Sequence, residues 1–425
     1  MNSSRNRKTC LRASLVWVGL TSLGLAVAAQ TPRLLDVASL DALRAEVRTN
    51  HPSVVAAQAR VQAAEAGVRA VRLWEDPMAG LGIVAAEREM RRDNGDLIFS
   101  AEQALPRPRL HDARKAKAAA ELSIFESDTR STILTVQTLA AQAALELALA
   151  DEMIALQTHQ LLWLEAMATN AIEKLRDPMA NASEPLRLES EVAQERQRID
   201  SARRQRARLA GQLNILLGRP PDGPWAELRL PDSPSPTPEL EVEMVRLKTV
   251  NPMLKSTLNT ARAAELEIEV ARRERHPTFS VGVDSRVYSG GDFREASIGA
   301  KMTLPWFNRS IYRSGVERAR QEHIAAEKET EALHRKLRGE AIAAHTESED
   351  AARQANTFAT AVIPRAQKAA ESTQNAWISS KASLLEVLES RRMLLNVRLE
   401  QRRFLAAHRA ALETLRSIVP PSTQP

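Results

Sequence analysis

Apolar positions recur along this chain with two periods, one helical and one of two residues, and the order of the periods occurs twice. From Ser39 to Trp74 and from Glu239 to Arg275, apolar residues recur at helical spacing among Ala, Leu, Glu and Arg, and Gly67 is the only glycine. Pro52 and Pro252 fall inside these regions. A helix accepts proline at its first position, where the missing N–H has no partner to lose, so each is predicted to open a fresh helix. Pro77 and Pro277 end the pattern.

The period then changes to two. Met78 to Glu87 and Asp96 to Leu105 read as a strand pair joined by a polar connection, and Thr278 to Tyr288 with Ala296 to Leu304 read as another. In the second pair Phe279, Val281 and Val283 alternate with Ser280, Gly282 and Asp284, while Ile298, Ala300 and Met302 alternate with Ser297, Gly299 and Lys301. One face is apolar and the other polar or small, the pattern of a barrel strand with lipid outside and water inside. Four short strands cannot close a barrel, so three chains would have to share one of twelve strands. Two exposed hairpins on a soluble helical protein are the alternative, disfavoured because apolar-faced hairpins aggregate.

From Leu110 to Asp177 there is neither glycine nor proline. A helix over that span reaches about 100 Å, against an ordinary length of about 11–12 residues. Arg309 to Trp377 matches it, with Gly315 and Gly339 tolerated and Pro364 predicted to kink it. The returning helices, Glu184 to Leu217 and Leu384 to Ser417, are about half as long. Their lengths balance if each is continued end to end by the helix before a strand pair. Between the halves, 218–238 holds seven prolines and reads as an irregular break at mid-height.

His51-Pro52 recurs as Asn251-Pro252, Asp76-Pro77 as His276-Pro277, and Leu188-Glu189-Ser190 as Leu388-Glu389-Ser390, all at an offset of 200 residues. Leu105-Pro106 recurs as Leu304-Pro305 at an offset of 199. Landmarks that keep register over a half-chain indicate two internal repeats, 29–217 and 239–418, around the break at 218–238. The tail at 419–425 is predicted to be disordered.

The amino terminus has Arg5, Arg7, Lys8 and Arg12 before a short apolar stretch and Ala26-Val27-Ala28, so 1–28 reads as a signal peptide. A retained anchor is the alternative, disfavoured because the run is short and interrupted by Gly and Ser. Removing the segment lowers the formal charge from +6 to +2 and takes away Cys10, the only cysteine. The mature surface then gives little support to nucleic-acid binding, and no disulfide or thiolate metal site is expected. No later stretch approaches the about 20 apolar residues of a spanning helix. The export expected of the chain then leaves a soluble periplasmic protein or an outer-membrane barrel.

Over essentially the whole mature chain this plan resembles the TolC family of outer-membrane channels. Leu304-Pro305-Trp306-Phe307-Asn308-Arg309 is similar to the family's crossing from strand to helix, and the run from Trp377 through Lys381 to Glu389 is similar to its helix-turn-helix tip. The resemblance implies a mainly α fold with a small membrane β-barrel: a homotrimer whose shared twelve-stranded barrel continues into a long periplasmic tunnel of coiled-coil helices. It implies an outer-membrane conduit with a periplasmic extension, working with a periplasmic adaptor and an inner-membrane pump, and no enzyme. Two features depart from the family: Ser380 and Ala180 stand where the tip usually has glycine, and aromatics are only 4%, thin for the girdles of a barrel. Asp76-Pro77, Pro305 to Arg309 and Leu384 to Glu389 look most like channels of heavy-metal cation efflux and resistance, with multidrug efflux or type I secretion as the alternatives. A periplasmic scaffold or adaptor without a pore is the reading from another class.

A conduit needs no nucleophile, and none is set up. His111, His159, His323, His334, His345 and His408 stand singly on helices without a second ligand at zinc spacing, and no phosphate loop is present, so no cofactor is expected. Glu386 and Glu389 share one helix face. By resemblance they lie where the tunnel narrows, beside Trp377 and Lys381, and three copies would ring the entrance with six negative charges that favour cations. The competing reading is a solvated face with Glu389 paired to Arg392.

Overall fold

The computed structural model describes residues 33–84, 96–174, 183–288, 293–379 and 381–421. The expected signal peptide, the connections at 88–95 and 289–292, Ala180, Ser380 and the last four residues of the expected tail lie outside the described residues. The chain begins with β1 (Arg33–Leu34), α1 (Val37–Asn50) and α2 (Pro52–Ala70). Asp36 caps α1 by accepting from the Ser39 amide at 2.8 Å. Pro52 stands in the first turn of α2, and His51 Nδ1 accepts from the Ser53 amide at 3.2 Å. Next come β2 (Met78–Val84), β3 (Asp96–Ala104), α3 (Leu110–Lys174) and α4 (Ser183–Leu216). Past a proline-rich strap holding β4 (Leu228–Arg229), the order resumes with α5 (Leu240–Val250), α6 (Pro252–Glu274), β5 (Phe279–Tyr288) and β6 (Phe293–Met302). A short 3₁₀ turn, Pro305–Asn308, leads into α7 (Arg309–Thr357), α8 (Ile363–Ile378) and α9 (Leu384–Ile418).

The discontinuity expected at Pro364 takes the form of a π turn, Phe358–Val362, between α7 and α8. Pro364 has no N–H for the carbonyl four residues back, and the wider turn absorbs the missing bond. One feature went unforeseen: β1 pairs in parallel with β4, tying residues before α1 to the strap.

The 65 residues of α3 form the spine. α2 and α6 pack along the half of α3 nearest the four-stranded sheet, α4 along its other half, and α9 beside it, with α7 behind α9 and α6. At mid-height Val136, Ala140, Ala144, Leu147 and Ala148 of α3 meet Leu40 and Val47 of α1, Leu209 and Leu213 of α4, and Leu228 and Leu230 of the strap. The expectation that no later stretch suits a membrane span needs amending, because part of Leu110–Glu173 is long and apolar enough by composition. Its Ala and Leu side chains supply this mid-height core. Asp151 accepts from the Leu228 amide at 2.9 Å and pairs with Arg206 of α4, while Glu152 accepts from the Leu230 amide at 2.9 Å and pairs with Arg402 of α9 at 2.9 Å. Two neighbouring carboxylates thereby fasten the strap to three helices.

The helix ends interlock at the same level. Gly218, at φ 71, lies against the Asn50 carbonyl where a Cβ would come within 2.8 Å of oxygen, so glycine is required to end α4 there. Asn251 caps α6 through Oδ1 and donates from Nδ2 to the Ile418 carbonyl at 2.8 Å, holding the end of α9.

Asp151→Ala should lower stability by about 3 kcal/mol, because it strands Arg206 and a buried amide; Arg206 is partly exposed, which keeps the loss at the low end for a buried pair. Denaturant midpoints check this against Arg335→Ala, whose exposed pair should shift the midpoint little. Equal midpoints for the two variants would contradict the proposed role of Asp151.

Candidate functional site

Two places concentrate unusual surface: the sheet at one end of α3 and the turn region at the other. The sheet has the order β2-β3-β5-β6, antiparallel throughout, with β2 and β6 at open edges. Register places Leu81 opposite Phe99, Ile83 opposite Leu97, Ala101 opposite Val283, and Val283 opposite Ile298. Directly opposed residues share a face, so one apolar surface crosses all four strands. It is exposed: Leu81 by 68%, Ile83 by 78% and Ile298 by 80%. Such a continuous apolar surface demands a partner or lipid.

The opposite face is polar. Ser100, Asp284 and Ser297 form one row, and Arg286 lies opposite Glu295. Glu102 accepts from Ser280 Oγ and from Lys301 Nζ, each at 2.6 Å, fastening β3 to β5 and β6. Gly80 leaves room for Ser100, whose Oγ would lie 2.4 Å from an added Cβ. Ile98 and Met78 on the polar face, and Gln103 and Ser285 on the apolar face, are among the exceptions. Strand lengths of 7, 9, 10 and 10 residues correspond to about 23–33 Å at 3.3 Å per residue, which fits an apolar band about 25 Å tall.

At the far end, Trp377 is buried among Leu164, Met167 and Ala171 of α3, Leu188 and Val192 of α4, and Leu384 and Val387 of α9. It is a core residue of the turn region. The Lys381 amide donates to the Ala376 carbonyl at 2.7 Å, closing α8, and the Lys381 side chain is exposed. Ser383 and Glu386 form a capping box: the Glu386 amide donates to Ser383 Oγ at 3.3 Å, and Glu386 Oε2 accepts from the Ser383 amide at 3.0 Å. Glu386 thus has a structural task that spacing alone did not reveal, although Ser-x-x-Glu before an apolar run was a readable signal. Glu389 is exposed one turn on. Arg392, the partner weighed for Glu389, pairs instead with Glu191 of α4. Arg391 lies over the Trp163 ring at 4.6 Å, and burial followed by the charge of Arg398 holds its guanidinium below its usual range.

The histidines stay apart. His323 meets the Ala261 carbonyl, His345 the Pro238 carbonyl and His408 the Ser348 carbonyl, and no group of metal-holding side chains occurs among the described residues.

Ser383→Ala should cost the tip about 1 kcal/mol of capping. Faster limited proteolysis at the α8–α9 turn, with unchanged global unfolding, is the expected readout; identical cleavage rates would show that the cap is dispensable.

Residues 246–419 match the family model described as outer membrane efflux protein. Among curated proteins, none matches the sequence. Among solved structures, the outer-membrane channel OprN superposes with a TM-score of 0.77 at 15% identity, over 91% of each chain. CusC, whose structures are described in terms of folding and transmembrane channel formation, gives 0.75 at 15% identity, over 91% of this chain and 93% of its own. The outer membrane protein VceC from Vibrio cholerae gives 0.75 at 16% identity, over 90% and 96%. The chain shares their fold.

Proposed function

We propose that this chain is one subunit of a homotrimeric outer-membrane channel, the passive outlet of a tripartite efflux system whose energy comes from an inner-membrane pump through a periplasmic adaptor. The observation that carries the reading is the sheet: apolar on one face, polar on the other, and open at both edges. In a bilayer every backbone polar group needs a partner, and only closure removes the edges. Three copies would close twelve strands with the apolar face toward lipid and the Glu102–Lys301 face toward water. The match of residues 246–419 and the shared fold support the same reading.

The cargo proposed is heavy-metal cations, on the resemblance of Asp76-Pro77, Pro305 to Arg309 and Leu384 to Glu389 to channels of that branch. Glu386 and Glu389, exposed at the tip, would supply a ring of six carboxylates at the entrance of the trimer. Capping by Glu386 is compatible with this, since one carboxylate can close a helix end and still contribute its charge.

Detergent extracts of the outer-membrane fraction should yield trimers, and deletion of the gene should sensitise cells to metal salts more than to drugs. A detergent-free soluble monomer would sink the channel, and drug sensitivity alone would reassign the cargo. The Glu386→Gln, Glu389→Gln double variant should keep the trimer yet lose cation selectivity, read as a reversal potential closer to zero in a salt gradient. An unchanged reversal potential would remove the carboxylate ring while leaving the channel.

A further inference from the structure

In the half of the chain beyond the sheet, the helices pack side by side. The lateral order there is α4, α3, α9, then α7 and α8, each packed on the next. The far sides of α4 and of α7 are therefore the two free edges, and they belong to opposite ends of the layer.

The edge of α4 is basic. Leu188, Val192, Ile199, Leu209 and Leu213 face inward, and the helical period puts Arg204, Arg208 and Ile215 on the opposite side. All three are exposed, Ile215 by 58%. Arg204 reaches only Ser201 Oγ at 3.5 Å and Arg208 only Gln205 Oε1 at 3.2 Å, so neither has an acidic partner among the described residues. The edge of α7 is acidic. Ala341, Ala344, Ser348, Ala351 and Ala355 face inward, which turns Asp350 outward with Glu347 on its flank. Glu347 forms no ion pair among the described residues, and Asp350 meets only the exposed Arg353 of its own helix, at 2.6 Å.

The two edges also agree in height. Arg206 meets Asp151 while Arg402 meets the adjacent Glu152, so these parts of α4 and α9 stand at one level. His408 of α9 in turn meets Ser348 of α7. Counting along the antiparallel helices puts Arg208 within about a turn of Asp350, and Ile215 within about a turn of Ile342, which is 46% exposed. Charge opposes charge and apolar opposes apolar in the same register.

We infer that the Arg204–Arg208 edge of α4 docks on the Glu347–Asp350 edge of α7 in a second copy of this chain, with Ile215 against Ile342. The inference rests on the trimeric reading and adds the contact that fixes how copies align. A head-to-tail contact of this kind, repeated around an axis, closes a ring. Its charges set register and exclude misaligned neighbours more than they add affinity.

Disulfide trapping tests the seam in the full-length protein. Arg208→Cys with Asp350→Cys, in a Cys10→Ser background, should give covalent oligomers under oxidation. Within one chain α3 and α9 separate the two positions, so a bond must join copies. Separately, Arg204→Glu with Arg208→Glu should abolish the trimer band, and adding Glu347→Arg with Asp350→Arg should restore it. Trimers that persist through charge reversal and never cross-link at these positions would overturn the seam and leave the channel intact. Charge reversal that destroys the trimer without rescue or cross-linking would overturn the pairing. A wild-type protein that stays monomeric in detergent would overturn both the seam and the trimeric reading.

Discussion

Asp151 and Glu152, adjacent near the middle of α3, point in directions about 100° apart, and each takes an arginine from a different helix together with a backbone amide of the strap. Without this fixture α3 would be a long rod with loosely stacked neighbours. A helix of 65 residues has stretches where its own apolar stripe is thin, and the layer depends on a fixed level at which all of its members are aligned. The carboxylates set that level, the Ala and Leu core around Ala144 fills it, and the interlocked ends at Gly218 and Asn251 stop the shorter helices from sliding. A buried ion pair is weak evidence of net stability, but it is a good device for register, since a shifted helix leaves charges unpaired.

The sheet is arranged differently from the helical layer. Its apolar residues point away from any core and its ion pairs lie on the opposite face, the reverse of a water-soluble arrangement. Glu102 pairs with Lys301 on the polar face, while Leu81 and Ile298 stay uncovered within one chain and call for a partner or lipid. The sheet has open edges at β2 and β6 and the helices have free sides at α4 and α7, and the proposed trimer would close both.

At the tip, packing and electrostatics are divided between residues. Trp377 and Val387 fill the turn core, Glu386 caps a helix, and Glu389 faces solvent. The capping box and the buried tryptophan together hold the start of α9 rigidly, the kind of support that the proposed carboxylate ring would need.

Much of this was determined by the sequence alone. The start of α3 at Leu110, the helix openings at Pro52 and Pro252, and the two-residue alternation from Phe279 to Val283 follow from local rules, because proline chemistry and periodicity act within a few residues. The non-helical strap follows from its seven prolines. Tertiary structure decided the rest. The pairing of Arg33 with Leu228, the reach of Asp151 to Arg206, and the choice of Glu191 over Glu389 by Arg392 join residues far apart in the chain. Pro364 announced a break, and the structure gives it the form of a π turn packed beside α9. Local sequence fixes which conformations a segment can adopt; which distant charge or carbonyl it meets depends on how the helices are layered, and that is a property of the whole chain.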